Sequence, residues 1–296
     1  MKPAAFDYFA PKSIAEALAL LAEHGYDAKP LAGGQSLVPT MNFRLAQPAV
    51  LVDLNGIEEL FFIREGGDGL RVGAMTRQRA VERSPLVQRR APLIHETMPH
   101  IAHPQIRNRG TFGGSLAHAD PASELPALAV TLGARLRVQS SRGERWVAAR
   151  DFYLDLFATD LQADELLVEI AVPDLPARTG WAFDEVARRH GDYAMAGAAA
   201  TVTLAEDGRI AASRLVYLSV GDFPTEAFQA EAVLTGEQPT AALIRAAAET
   251  AAAQDIDPGS DIHASADYRR HLAKVLAGRV LARAVERANM TIDAGR

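Results

Sequence analysis

Hydrophobic and polar positions along the first 176 residues switch repeatedly between helical and strand periods. Ser13 and Glu16 form a capping-box pattern ahead of apolar positions at helical spacing, and Gly25 is a plausible stop for that helix. Further helices are predicted over 37–45, 76–83, 86–101 and 125–132. Strands are predicted over 29–32, 49–54, 60–64, 70–74, 135–138, 144–147 and 165–172.

A different order follows the proline-bounded segment 173–179. Apolar runs predict three strands over 181–188, 197–204 and 210–220, and helical spacing then predicts helices over 227–234, 240–253 and 265–289. The C-terminal part is therefore expected to be a three-stranded sheet covered by helices, and the whole chain is expected to be α+β.

Two double-glycine turns stand about eighty residues apart, over 31–37 and 110–116. Successive N–H groups at such a turn form a concave anion site, and a following helix N-terminus adds its dipole. Two of these nests facing each other would hold two linked phosphates, as in a dinucleotide. The pattern also fits two ordinary tight turns, and on the residues alone the two interpretations remain about equal.

Composition removes several classes of function. The chain has 296 residues, a formal net charge of −6 and no cysteine. The acidic balance argues against a nucleic-acid partner. The lack of cysteine rules out disulfides, a thiolate nucleophile and a cysteine-ligated iron–sulfur cluster in this chain. There is no apolar run long enough to span a membrane and no signal-peptide pattern, so a cytoplasmic location is expected.

Several common motifs are also absent. The sequence has no Gly-x-Gly-x-x-Gly fingerprint, no phosphate-binding P-loop, no complete zinc-protease motif and no Gly-x-Ser-x-Gly elbow. Neither a metal site nor catalytic side chains are predicted. Segment 103–126, in contrast, is rich in Gly, Pro, Asn, His and Asp without a clean period, and long irregular segments of this kind are often functional.

The second turn and its surroundings read QIRNRGTFGGSLAHADPASELP over 105–126, and the first reads AGGQSL over 32–37. Together they resemble the FAD-binding subunits of the molybdenum hydroxylases. The medium subunits of carbon monoxide dehydrogenase are closest in pattern, and the FAD domain of xanthine dehydrogenase is more distant. The resemblance runs the length of the chain, from Phe6-Asp7-Tyr8 to the C-terminal helices.

The resemblance implies a PCMH-type FAD-binding domain, similar to vanillyl-alcohol oxidase, over 1–176. Its two α/β subdomains, about 1–55 and 56–176, would clamp the FAD. An α+β domain of the CO dehydrogenase flavoprotein type would follow over 177–290.

The resemblance also assigns residues. Segments 32–36 and 111–115 correspond to pyrophosphate loops, Glu124 to an aspartate that contacts ribityl or ribose hydroxyls, and Leu167 to a backbone contact at the flavin edge. Tyr193 corresponds to an aromatic residue beside the isoalloxazine. The implied cofactor-binding residues are Leu31, Ala32, Gly33, Gly34, Gln35, Ser36, Leu37, Ile101, Thr111, Phe112, Gly113, Gly114, Ser115, Glu124, Leu167 and Tyr193.

The implied function is electron transfer through a non-covalent FAD. A molybdopterin-binding large subunit would oxidise substrate, and an iron–sulfur small subunit would pass electrons through [2Fe–2S] clusters to this flavin. The complex is expected to be a dimer of heterotrimers that delivers electrons to NAD, a quinone or another acceptor. Two alternatives stay open: a stand-alone FAD-dependent reductase or oxidase, and a flavin-free adaptor protein on the same fold.

Overall fold

A computed structural model describes residues 2–293 of the chain. The first layer is a parallel sheet in the order β1-β3-β2, with α1 packed on it. Its elements are β1 (Asp7–Phe9), α1 (Ile14–His24), β2 (Ala28–Leu31), α2 (Leu37–Asn42) and β3 (Val50–Asp53). The Ser13 side chain accepts the N–H of Glu16 at 3.2 Å, but the Glu16 carboxylate accepts from Lys12, so half of the expected capping box forms.

The second layer is an antiparallel sheet covered by short helices. In chain order its elements are β4 (Ile63–Gly66), β5 (Gly69–Gly73), α3 (Gln78–Arg83), α4 (Pro85–Arg90), α5 (Pro92–Thr97), α6 (Pro104–Arg109), α7 (Phe112–His118), α8 (Glu124–Thr131), β6 (Arg135–Ser140), β7 (Gly143–Ala148), α9 (Ala149–Phe152), β8 (Tyr153–Asp155), β9 (Ala158–Thr159) and β10 (Leu166–Pro173). The sheet runs β4-β5-β10-β6-β7, and β8 pairs separately with β9. Side chains of β10 contribute to two cores, one on each face of the sheet.

The third layer is an antiparallel sheet in the order β11-β12-β13-β14. Its elements are β11 (Thr179–Ala187), β12 (Ala194–Leu204), β13 (Ile210–Leu218), β14 (Thr225–Glu226), α10 (Phe228–Leu234), α11 (Ala241–Thr250) and α12 (Ala266–Asp293). The three predicted strands are present, but the expected sheet of three gains a fourth. The sequence did not predict β14 because its two residues carry no local pattern and are held by pairing with Val216 and Tyr217.

Two further predictions need correction. The helix predicted over 76–83 begins at Gln78, because the Thr76 hydroxyl donates to the Phe62 carbonyl at 2.9 Å and does not cap the helix. The segment expected to be irregular contains α6 and α7. These helices are only six and seven residues long, so tertiary packing of side chains such as Phe112 and Leu116 stabilises them.

The hydrophobic core of the second layer continues into the third layer, across residue 176, where the first domain was predicted to end. That domain boundary stays a prediction. The core includes Phe152 and Ile170 from the second layer together with Phe183 and Val216 from the third. The third layer is thus packed against the second over a continuous apolar surface.

Candidate functional site

The two glycine turns lie against each other. A Cβ on Gly33 would stand 2.4 Å from the Arg109 carbonyl oxygen and 2.7 Å from the Cα of Gly110. A Cβ on Gly114 would stand 3.2 Å from the Cβ of Ala32. The contact of Gly33 with Arg109 and Gly110 leaves no room for a Cβ. Glycine at position 33 therefore allows the backbones of the two turns to touch.

The first turn presents unpaired backbone N–H groups. Gly34 has a φ of 72°, and the Gln35 side chain donates to the Gly33 carbonyl at 2.9 Å, which holds the turn open. Across residues 2–293, no hydrogen-bond acceptor serves the backbone N–H groups of the four turn residues Gly33, Gly34, Gln35 and Ser36. Such a run of free donors at the start of α2 is the arrangement that binds an anion.

The second turn is different. Its N–H groups already have protein acceptors at 2.8–3.2 Å: Phe112 with the Thr76 carbonyl, Gly113 with Ala74, Gly114 with the Thr111 hydroxyl and Ser115 with the Thr111 carbonyl. The expectation of two equivalent nests is therefore wrong in this detail. The second turn can instead donate hydrogen bonds from two hydroxyl groups. Thr111 Oγ1 accepts from Gly114 but its own O–H is free to donate, and Ser115 Oγ has no partner in the described chain.

A cleft of about 380 Å³ opens beside the first turn. Its walls are Leu31, Ala32, Gly33, Gly34, Gln35, Val38, Pro39, Asp53, Asn55, Ile106 and Arg109. Apolar side chains form one wall, and the polar groups gather at the carboxyl end of the central strand β3. Ligand sites at the carboxyl ends of parallel strands are a general feature of α/β sheets.

A hydrogen-bond network holds the cleft in shape. Asn55 Nδ2 donates to the Ala32 carbonyl at 2.9 Å, and Arg77 donates both to Asn55 Oδ1 at 2.5 Å and to the Arg109 carbonyl at 2.6 Å. Arg77 thereby joins the two glycine turns. Burial lowers the pKa of its guanidinium, and the nearby charge of Arg109 lowers it further.

Asp53 supplies the negative charge in the cleft. Burial opposes ionisation of its carboxyl, but hydrogen bonds from Tyr8 and Asn55, together with the charge of Arg109, outweigh burial and lower the pKa. The same interaction with Asp53 raises the pKa of Tyr8. The cleft thus keeps a fixed carboxylate that can accept hydrogen bonds from hydroxyl groups of a bound molecule.

A second polar cluster lies at the other end of α7, where the second layer meets β11 and β12. The pKa of Glu124 is raised to about 8, first by burial and then by the charge of Glu185. The side chain of His100 lies 3.4 Å from Glu185, and this contact raises the pKa of the imidazole. Partial burial of its hydroxyl and the charges of Asp120 and Glu124 raise the pKa of Tyr193.

The predicted residues fall into two groups joined by α7. Residues 31–35 line the cleft, segment 111–115 lies beside them through the contact of Gly114 with Ala32, and Glu124 and Tyr193 lie near Asp120 at the far end. The seven residues of α7 span about 10 Å. Ile101 is buried, and its carbonyl accepts from Arg107 at 2.7 Å. Leu167 is buried in β10 beside an irregularity in the pairing with β6, and its contact with the flavin edge stays a prediction.

Several polar residues of these clusters were missed from the sequence: Tyr8, Asp53, Asn55, Arg77, His100 and Glu185. Asp53 and Asn55 could have been found, because polar residues directly after a parallel strand commonly face a ligand. Arg77 and His100 carry no such pattern, because their partners are distant in sequence. Two polar residues of segment 103–126 have partners within the chain: Arg107 is ion-paired with Glu82 at 2.9 Å, and Asp120 accepts the N–H of Ala122 within its own loop at 2.9 Å.

Comparison with known proteins decides the family. A model described as the FAD-binding domain in molybdopterin dehydrogenase matches residues 4–175. This chain belongs to that family. A second model, the C-terminal domain of the CO dehydrogenase flavoprotein, matches residues 181–284 of this FAD-binding subunit.

Relatives of this FAD-binding subunit match it over nearly its full length. It is 44% identical to the 6-hydroxypseudooxynicotine dehydrogenase complex subunit alpha of Paenarthrobacter nicotinovorans, over 98% of each chain. It is 43% identical to the caffeine dehydrogenase subunit beta of Pseudomonas sp. strain CBB1, over 97% of each chain. Both relatives are subunits of dehydrogenases.

A solved structure supports the same assignment. In a carbon monoxide dehydrogenase from Hydrogenophaga pseudoflava that lacks the Mo-pyranopterin moiety, one chain has a TM-score of 0.94 and 42% identity to this protein, covering 97% of this chain and 99% of that one. The predicted α+β, PCMH-type fold is confirmed, and this FAD-binding subunit is a component of an oxidoreductase. No helix in residues 2–293 is both long and apolar enough to cross a membrane.

Proposed function

We propose that this chain carries one non-covalent FAD and passes electrons from [2Fe–2S] clusters of a partner subunit to an external acceptor. The observation that carries this proposal is the set of free N–H groups in the first glycine turn. These unpaired donors would bind the negatively charged pyrophosphate of FAD. Thr111 Oγ1 lies beside Gly114 where the two turns meet, and the hydroxyls of Thr111 and Ser115 would complete the phosphate contacts. Each N–H donated to a charged oxygen is worth roughly 1.5–3 kcal/mol.

The two ends of α7 fit the pyrophosphate and the flavin of a bound FAD. The pyrophosphate would lie on the first turn, with Asp53 available to accept hydrogen bonds from hydroxyls. The flavin would lie toward Tyr193, which is 68% exposed and lies near the charges of Asp120 and Glu124. A large aromatic ring that is open to solvent is suited to packing against another flat ring.

Bound FAD supplies the redox chemistry, since it accepts electrons singly or in pairs. This chain's residues bind, orient and shield it. Arg77 and Asn55 keep the two turns in register, and Glu124 is neutral at pH 7 because its pKa is about 8. A neutral carboxyl can donate as well as accept a hydrogen bond, which a ribityl or ribose hydroxyl can use.

The partners proposed are a molybdopterin-binding large subunit and a [2Fe–2S] small subunit, assembled as a dimer of heterotrimers. The cysteine-free sequence requires that thiolate-bound clusters lie on another chain. A stand-alone flavin reductase or oxidase is the second candidate. Such an enzyme would require a substrate-specific acid near the flavin. The buried Glu124 is the residue that could serve as this acid.

The test is electron delivery with and without partners. The purified chain should release FAD into the supernatant on acid precipitation, be bleached by dithionite, and stay oxidised when mixed with aldehydes or purines. Adding the molybdenum and iron–sulfur subunits should restore bleaching by the substrate of the complex. Turnover by the single metal-free chain at about 10 s⁻¹, typical of complete enzymes, would favour the stand-alone enzyme instead.

A further inference from the structure

The turn that joins β11 to β12 carries two arginines without carboxylate partners. We call residues 188–193 the arginine turn. Arg188 and Arg189 are exposed, and within residues 2–293 neither forms an ion pair with Asp or Glu. The nearest polar contact of Arg188 is His263 Nδ1, at 3.5 Å, which is another basic group. Arginines elsewhere are commonly paired, as Arg145 is with Glu165 at 2.7 Å.

The arginine turn is held firmly against the second layer. A Cβ on Gly191, which has a φ of 85°, would stand 2.5 Å from the His103 ring and 2.8 Å from the Ala102 carbonyl oxygen. The N–H of Asp192 donates to the Arg189 carbonyl at 3.1 Å, which closes the turn. The two arginines therefore project from a fixed backbone that also carries Tyr193.

The arginine turn carries two arginines and one carboxylate, Asp120 lies near its Tyr193 end, and the two acidic residues of β11 nearest to it have basic partners elsewhere. Asp184 is 3.5 Å from Arg279, and Glu185 is 3.4 Å from His100. Asp192 is the one acidic residue within the turn, set against Arg188 and Arg189. Two adjacent exposed arginines without carboxylate partners would attract anions to this turn, although the net charge of the chain is −6.

We propose that the arginine turn is the docking site of an anionic electron acceptor, one that carries phosphate or carboxylate groups, at the exposed edge of the flavin. The inference rests on the proposed function, because Tyr193 in the same turn is the residue expected beside the isoalloxazine. The guanidinium groups would form charge-assisted hydrogen bonds with the anionic groups of the acceptor and hold its redox centre beside the flavin.

Ferricyanide is a suitable probe because it is a trivalent anion. Each reduced FAD loses two electrons and two protons, and two ferricyanide ions become two ferrocyanide ions. The FAD-loaded chain is reduced with dithionite, freed of excess reductant, and mixed anaerobically with acceptor while flavin absorbance is followed. Parallel reactions use hexaammineruthenium(III), a trivalent cation, and benzoquinone, which is neutral.

The decisive variant is Arg188→Gln/Arg189→Gln. At low ionic strength its second-order rate constant with ferricyanide should fall at least about fivefold, since steering contributes 10-fold or more at charged sites. The rate with hexaammineruthenium should rise or stay unchanged, and benzoquinone should show no difference. At roughly 0.5 M salt the ferricyanide difference should disappear, because charges are then screened within a few ångströms.

A matched control distinguishes an effect of the arginine turn from an effect of the net charge of the protein. Arg89→Gln/Arg245→Gln removes two exposed arginines on α4 and α11 and changes the net charge by the same amount. An equal loss in this control, or an equal loss with all three acceptors, would overturn the inference. Loss of FAD from the turn variant alone would also overturn it, because the turn would then hold the cofactor. A wild-type chain that binds no FAD would instead refute the proposed function.

Discussion

The side-chain amide of Asn55 donates a 2.9 Å hydrogen bond to the carbonyl oxygen of Ala32. Its own oxygen accepts from Arg77, which also donates to the Arg109 carbonyl ahead of the second turn. One side chain just after β3 therefore sets the spacing of both glycine turns. The proposed pyrophosphate site depends on residues that do not themselves need to touch the phosphates.

Asn55→Ala should weaken FAD binding by about tenfold. The change leaves the Ala32 carbonyl and the Arg77 guanidinium without their partner, and an unsatisfied group of this kind costs roughly 1–3 kcal/mol. Titration of the apoprotein with FAD measures the effect. Asn289→Ala, which removes a side-chain amide bonded to Val285 on α12, is the control and should leave FAD affinity unchanged. Equal affinity in both variants would show that the network does not support the site.

Gly34→Val should abolish most FAD binding while the chain still folds. A β-branched residue is strained at a φ of 72°, so the turn must change and its N–H groups lose their common direction. Misdirecting two of them would cost about 3–6 kcal/mol, or more than ~100-fold in Kd. Gly25→Val imposes similar backbone strain at a φ of 53° with open space around it. Comparable loss of FAD in that control would contradict the prediction.

Gly113→Ala should destabilise the fold itself. Its Cβ would lie 2.5 Å from that of Ala74, and both residues are buried where α7 packs on the end of β5. Overpacking of this kind costs about 1–3 kcal/mol, so the melting temperature should fall by several degrees. Gly278→Ala on α12, with nothing within 4 Å, should instead keep or raise the melting temperature.

The contrast between Gly34 and Gly113 shows which parts of the site could be predicted from the sequence. The motifs identified both turns, and local periodicity predicted the long strands around them. The state of the second turn depends on Ala74 and Thr76, nearly forty residues away, whose carbonyls take the N–H groups that the motif suggested were free. Arg77 and His100 were missed for the same reason, since their partners Arg109 and Glu185 are brought near only by the fold.

Glu124→Gln should stabilise the chain at high pH and not at low pH. The pKa of Glu124 in the folded protein is about 8, above its ordinary 4.5, so its contribution to stability is complete below pH 4.5 and is lost as pH rises to about 8. Glutamine does not ionise and avoids that loss. The melting temperature of the variant minus that of wild type should therefore grow between about pH 5 and 8.

Subtracting the melting temperature of wild type also removes the contributions of other titrating groups, which are the same in both proteins. One of these is Glu231, whose pKa is raised to about 7 by burial. Glu23→Gln on the exposed face of α1 controls for the loss of one carboxylate. A difference for Glu124→Gln that is constant with pH would mean that Glu124 ionises normally in the folded chain.

Tyr193→Ala should weaken FAD binding by about tenfold or less and make the bound flavin more fluorescent. The ring is exposed in the chain while its hydroxyl lies near Asp120 and Glu124, so a ring packed on it would gain roughly 0.5–1.5 kcal/mol beyond area burial. Removing the ring also removes a quencher of flavin emission. Tyr193→Phe keeps the ring and should retain most of the quenching. Tyr26→Ala, which removes a tyrosine that is 85% exposed, is the matched control. Flavin affinity, absorbance and fluorescence that match wild type in Tyr193→Ala would place this residue away from the isoalloxazine and would remove the link between the flavin and the arginine turn.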